Sequence, residues 1–237
     1  MITTETLRVD LHSHTRHSPD AGTSPADLVE RAREVGLDRI AVTDHGTIEG
    51  ALRAREAAPD LVIVGEEIRC ACRTELIGLF LTESIPMRLS LEEVVERIRD
   101  QGGVVYAPHP FAYPRSAVSR GRRALAVADI AEVVNARAFL PIWNHAAGRA
   151  ARKRGLAPGA GSDAHFPGEI GRAYTKMPAF RSAAEFLTAA SEARPVSRMT
   201  SSPLVHVASM SLKIARRVAD WGASSRSVPA PRTVPAE

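Results

Sequence analysis

Cysteine is nearly missing from this 237-residue chain: Cys70 and Cys72 are the only two. Thiols one residue apart rarely form an unstrained disulfide, and without two more they make no zinc knuckle. A disulfide scaffold and a thiolate metal site are excluded, and both residues read as reduced strand residues. Aromatics make up 5% of the chain, too few for the stacking platforms of a single-strand nucleic-acid binder. No apolar run reaches membrane-spanning length, and the polar start has no hydrophobic signal segment. A cytoplasmic protein with no membrane partner is the expectation. Charge of one sign is also scarce. The net +4 comes from arginine spread along the chain, with some excess over Arg115–Arg123 and in the tail. That balance suits an anionic small-molecule substrate and is too diffuse to indicate nucleic acid as a specific partner.

What is present is alternation. Apolar content of 44% supports a sizeable core. Short apolar runs end in polar residues at Val9–Leu11, Arg39–Thr43, Leu61–Val64, Glu75–Leu81, Val104–Ala107, Ile130–Asn135 and Gly159–Gly161. Helical segments stand between most of them. One starts at Ser24-Pro25, with Ser as N-cap and Pro in the first turn. A second runs from about Thr47 to Ala58. A third starts at Ser90 with Glu93 completing a capping box. Further helices fall near Ile142–Arg154, Ala183–Ala193 and 203–219, and the Ser-, Pro- and Arg-rich residues 221–237 read as a disordered tail. Alternating strands and helices predict a parallel α/β architecture in a single domain over residues 1–220. A barrel accommodates the number of units better than a short open sheet, and both remain open at this point.

The candidate functional residues share one address. His12 and His14 occupy alternate positions of a strand and so project from one face. His45 in Thr-Asp-His-Gly, Glu67 in Gly-Glu-Glu-Ile, His109 between two prolines, and Asp163 with His165 all lie at expected strand ends. That rim is where α/β barrels build active sites. Either Glu66 or Glu67 faces it, because adjacent strand residues point oppositely. Imidazole and carboxylate donors without thiolate suit zinc, manganese or iron. One catalytic ion uses about three protein ligands, so this set implies two or three divalent ions. Taken singly, each residue has a plainer explanation: a loop cap for His45, a turn for His109, a helix N-cap for Asp163.

Asp-Leu-His-Ser-His-Thr, Thr-Asp-His-Gly, Gly-Glu-Glu-Ile, Pro-His-Pro and Ser-Asp-Ala-His, in that order, resemble the motifs of the PHP (polymerase and histidinol phosphatase) superfamily. The resemblance runs from about Leu7 to Tyr174, and Gly-Arg-Ala-Tyr-Thr is similar to a short PHP-associated segment. It implies a distorted (β/α)7 barrel and a trinuclear hydrolytic centre acting on phosphate esters. By that pattern His12, His14, Glu67 and Asp163 hold one ion, Glu67 bridges to a second that also takes His109, and Asp20, His45 and His165 hold a third. The pattern has a histidine where this chain has Glu75, which is either a replacement ligand or a plain strand-entry residue. About forty residues between the Glu and Pro-His-Pro motifs leave no room for a helical insertion, so an open, uncapped site is implied.

The chemistry implied is attack on phosphorus by a hydroxide held between ions, with Glu67, Asp163 and His109 carrying the reaction centre. Arg137 and Arg172 are candidates for orienting the non-bridging phosphate oxygens, although surface or helix-end charge is the plainer reading of each. Asp44 is a candidate for orienting a ligand from behind. Two other functions compete: an amidohydrolase-like C–N hydrolase, which also begins with His-x-His on a barrel strand, and a non-catalytic metal-holding regulatory domain. The substrate, a small phosphorylated metabolite or nucleotide, and the oligomeric state are not encoded legibly.

Overall fold

The computed structural model describes residues 6–111, 116–138, 140–202 and 204–224. The first half lays down β1 (Thr6–Asp10), α1 (Pro25–Glu34), β2 (Arg39–Val42), α2 (Glu49–Ala57), β3 (Val62–Arg69), β4 (Glu75–Leu79), α3 (Leu91–Asp100) and β5 (Val104–Ala107). The second half adds α4 (Ser116–Val127), β6 (Ile130–Asn135), α5 (Pro141–Arg154), β7 (Ala157–Gly161), β8 (Ala173–Pro178), α6 (Ala183–Ala190), β9 (Arg194–Ser197) and α7 (Leu204–Ser224). The helix starts are locally encoded. Ser24 Oγ accepts from Asp27 N, and Ser90 and Glu93 exchange two bonds of 3.1 and 2.8 Å.

The strands form one sheet in the order β7-β6-β5-β4-β3-β2-β1-β8-β9. The sheet bends until the chain beyond β1 meets the chain beyond β7. His12 O accepts from Asp163 N at 2.7 Å, and Ala164 O accepts from His14 N at 2.8 Å. The seven strands β1–β7 thus make a nearly closed barrel, and β8 and β9 add an antiparallel flap on the other edge of β1. Val9, Leu79 and Val104 are fully buried in one apolar cluster, and Ile40 and Val42 in a second that includes Leu28 and Ala32 of α1 and Ala51 and Ala54 of α2. Side chains of this size contribute roughly 1.5–3 kcal/mol each when fully buried.

One strand breaks the parallel order. β4 runs antiparallel to both β3 and β5. Only Cys70–Thr74 separate it from β3, too few residues for a crossover helix, so the pair is a hairpin. Cys70 and Cys72 belong to this turn rather than to a strand; Cys70 is buried, Cys72 is exposed, and both are free thiols. β3 also runs further than its apolar stretch, through Arg69, which places Glu67 inside the strand instead of at its end. The helix α4 and the strands β8 and β9 were not anticipated as regular elements. The tail assigned to 221–237 lies outside the described residues from residue 225 onward, and α7 continues through its first four positions. Among the described residues, no helix is long and apolar enough to cross a membrane.

Candidate metal centre

Four side-chain atoms converge just beyond β1. His12 Nε2 and His14 Nε2 lie 3.0 Å apart. Glu67 Oε2 is 3.4 and 3.5 Å from them, and Asp163 Oδ1 is 3.6 and 3.4 Å. A tetrahedron whose corners sit 2.0–2.1 Å from a central ion has edges of about 3.3 Å. Five of the six edges here fall around that value. The other oxygen of Glu67 reaches His109 Nε2 at 3.3 Å. On the opposite flank Asp20 Oδ1 lies 3.6 Å from both His45 Nε2 and His165 Nε2. That oxygen is buried and has no hydrogen-bond donor, so it is free to accept a cation. His45 Nδ1 returns to Glu67 Oε2 at 3.2 Å, which makes Glu67 the hub of the cluster.

The outward face of each ring fixes how the inward face can act. His12 Nδ1 donates to Glu132 Oε1 at 3.1 Å, His14 Nδ1 to Ser18 Oγ at 3.2 Å, and His165 Nδ1 to the Asp163 carbonyl at 2.9 Å. With Nδ1 committed to these bonds, each Nε2 is the nitrogen left to face the centre, offering a lone pair whenever it is not protonated. Ser18 in turn donates to Asp44, which also takes Thr15 N and Thr15 Oγ1. Asp44 therefore supports His14 through one hydroxyl. Two lone pairs facing across 3.0 Å repel unless a cation or a proton lies between them. The donor set, nitrogen and oxygen without sulfur, fits zinc, manganese or iron.

Electrostatics agree with geometry. Burial alone would raise the Glu67 carboxyl, but His45 and the hydrogen bonds from His109 and His12 hold it well below the ordinary range. Asp163 behaves alike: burial is outweighed by His12, His14 and His165. Burial opposes charge on His45 and His109, yet the Glu67 carboxylate lifts both to about 9. His12 is raised well above its ordinary value because Asp163 and Glu132 overcome its burial, whereas buried His14, beside His45 and His12, is lowered. Two residues of the centre also have left-handed backbone, His109 at φ +26° and Asp163 at φ +53°. Non-glycine residues seldom adopt such angles, and they cluster at functional sites.

Nine expected ligands were named from the sequence, and eight of them come together here. Glu67, not Glu66, faces the centre; Glu66 points to Ser84 and Ile85 on the other side. Glu75 lies on the cleft wall, 3.9 Å from Arg69, and joins none of the three ligand groups. Arg137 lines the cleft, with its guanidinium against Glu169, Ser209 and the Val205 carbonyl. Arg172 is not part of the cleft wall and donates to the Gly168 carbonyl. Glu132 escaped notice. It sits in the apolar strand β6, where an unpaired carboxylate would be costly to bury, and that cost was the available signal. It accepts from His12, from His109 N at 2.6 Å and from Asn135 Nδ2 at 3.0 Å. Asn135 also donates to Asp163 at 3.2 Å.

The site is not uncapped. A cleft of about 530 Å3 opens over the cluster, and α7 supplies one wall through His206, Ser209, Met210 and Lys213. Arg69, Arg120, Arg137 and Lys213 also line it, beside Glu75 and the carboxylates of the cluster.

Comparison with known proteins follows the same line. The sequence profile of the PHP domain matches residues 10–104, and that of the PHP-associated segment matches residues 141–195. An uncharacterized protein of Methanocaldococcus jannaschii is 36% identical over 177 residues, covering 72% of this chain and 70% of that protein. Among solved structures, a two-domain protein from Bacteroides vulgatus containing a predicted PHP-like metal-dependent phosphoesterase is similar with a TM-score of 0.63 at 20% identity. The match covers 81% of this chain and 65% of that one. A lesion-specific endonuclease from Pyrococcus furiosus is similar with a TM-score of 0.58 at 15% identity, over 81% of this chain and 58% of that one. These structural likenesses concern the fold. With two family profiles in order along the chain and a relative matched over most of its length, this protein belongs to the PHP domain family.

Proposed function

We propose that the chain is a metal-dependent phosphoesterase that hydrolyses a phosphate ester of a small metabolite or nucleotide at a di- or trinuclear centre. The observation that carries this reading is the convergence of imidazoles and carboxylates in a cleft whose lining also includes Arg69, Arg120, Arg137 and Lys213. His12, His14, Glu67 and Asp163 would hold one ion, Glu67 and His109 a second, and Asp20, His45 and His165 a third. Bound divalent ions supply Lewis-acid stabilisation of phosphoryl charge and lower the pKa of water at neutral pH.

The chain's own groups do the rest. Glu132, Ser18 and the Asp163 carbonyl keep three rings turned with Nε2 inward. Asn135 holds Asp163 from behind. Arg120 and Lys213 both line the cleft, where they would meet an entering anion, and Arg137 is held in place by Glu169. Basic side chains in the cleft favour an anionic phosphoryl group over a neutral amide. The name of the endonuclease neighbour extends the substrates worth assaying to nucleic-acid phosphodiesters.

The test is a substrate panel on the metal-reconstituted chain: nitrophenyl phosphate mono- and diesters, nucleotides, oligonucleotides, and amide and deamination substrates. Phosphate or alcohol release that is abolished in a folded His12→Ala variant supports the reading. Turnover of C–N substrates alone, or of no ester at all, would sink it.

A further inference from the structure

α7 is docked with its polar side inward. Its large apolar residues Leu204, Val207, Met210, Ile214 and Val218 are 54–74% exposed, the reverse of an ordinary amphipathic surface helix. What ties it to the barrel is polar. Arg137 Nη2 donates to Ser209 Oγ at 2.9 Å, and His206 Nε2 donates to the Arg137 carbonyl at 3.1 Å. At the other end two cations grip the turn between β1 and α1. Arg216 Nη1 donates to Ser18 O and Arg16 O at 2.6 and 3.2 Å, and Lys213 Nζ donates to Asp20 Oδ2 at 3.0 Å.

Asp20 is thus shared. Its Oδ2 holds the ammonium of Lys213, while its Oδ1 is buried without a donor between His45 and His165. We infer that Lys213 and the ion at Asp20, His45 and His165 are mutually antagonistic, so that docked α7 weakens this ion and the bound ion loosens α7. The inference rests on the metal-centre reading of those three residues.

The physical reason is short-range repulsion. A divalent ion on one carboxylate oxygen and an ammonium on the other would lie only a few ångströms apart, and one negative charge would serve both. Lys213 is about one-third exposed, so solvent screens part of the repulsion. A coupling of about tenfold in affinity is the scale expected for such linked sites. Linkage also makes the effect reciprocal: whatever Lys213 takes from the ion, the ion takes from α7 docking. α7 buries little of its large apolar surface, with Val205 and Leu212 only half-buried, so these polar contacts carry much of its docking. Lys213 is therefore a positioning residue for Asp20, and α7 a cover whose seating depends on which cation Asp20 holds.

Two readouts test this on the full chain, using Mn2+ alone as the probe. Isothermal titration resolves the Asp20 ion as the one lost in Asp20→Asn. Lys213→Met is expected to bind that ion about tenfold more tightly, and Lys213→Arg, which keeps the charge, to bind it as the parent does. Amide hydrogen exchange over residues 204–224 is expected to speed up on Mn2+ saturation in the parent and to be insensitive to Mn2+ in Lys213→Met. Equal or weaker binding by Lys213→Met, or exchange in α7 that Mn2+ slows or leaves unchanged in the parent, overturns the antagonism alone. Absence of any ion that depends on Asp20, in parent and variants alike, overturns it together with the metal reading.

Discussion

Glu132 receives the Nδ1 hydrogen of His12 at 3.1 Å, from a position 120 residues further along the chain. The same carboxylate accepts the backbone N–H of His109, so one buried side chain orients the His12 ring and anchors the main chain that carries a second imidazole. Replacing Glu132 by Gln keeps its shape and removes the charge that fixes the His12 tautomer. Metal affinity is expected to fall about 10- to 100-fold, with the metal-free fold retained. Titration of Mn2+ or Zn2+ into the variant, beside a thermal melt, checks both halves. Unchanged affinity would show that His12 needs no such support.

Close approach of β7 to β1 makes that contact possible. A Cβ placed on Gly161 would overlap the Cβ of His12 and come within 2.6 Å of Glu132 Oε1. Gly161→Ala therefore forces apart the two groups that must meet. The expected loss is about 1–3 kcal/mol of stability, together with weakened metal binding. Denaturant unfolding of the metal-free variant measures the first quantity. A variant as stable as the parent, binding ions equally well, would contradict the packing described here.

The pH response follows from His45 and His109, both lifted to about 9 by the Glu67 carboxylate against the opposing effect of burial. A histidine whose folded value is raised contributes stability in full below its unfolded value of about 6.5. That contribution is lost as pH rises through about 9. The metal-free chain should therefore show its melting temperature declining between about pH 6.5 and 9. An incoming ion must displace the same protons, so metal affinity should climb with pH up to about 9 and then level off. Melting curves and metal titrations across this range decide it; a flat melting temperature in the metal-free chain would speak against protonated His45 and His109.

Much of this arrangement is legible in the sequence because it is local. Alternation carries His12 with His14 and Asp163 with His165 to common faces, and capping residues such as Ser24 and Ser90 mark helix starts. The order of five short motifs then narrows the family. What escaped depends on long-range partners. The reversal of β4 hangs on a five-residue turn whose neighbours are apolar in either direction. Glu132 carries no motif, and only the cost of burying it singles it out. The docking of α7 was the least readable feature: its apolar stripe suggests inward packing, yet the polar contacts of Arg137, Lys213 and Arg216 decide its orientation. Glu75 occupies the expected place on β4 and pairs at 3.9 Å with Arg69 instead of entering a ligand group.

His12, His14, Glu67 and Asp163 are proposed to converge in order to hold an ion. Counting bound metal in the purified chain, after loading with Mn2+ or Zn2+ and removal of the excess, tests it most directly. Three candidate ligand groups predict two or three ions per chain, and His12→Ala should lose at least one while keeping its circular dichroism spectrum. Less than one ion per chain in the parent, or an undiminished count in His12→Ala, would contradict it.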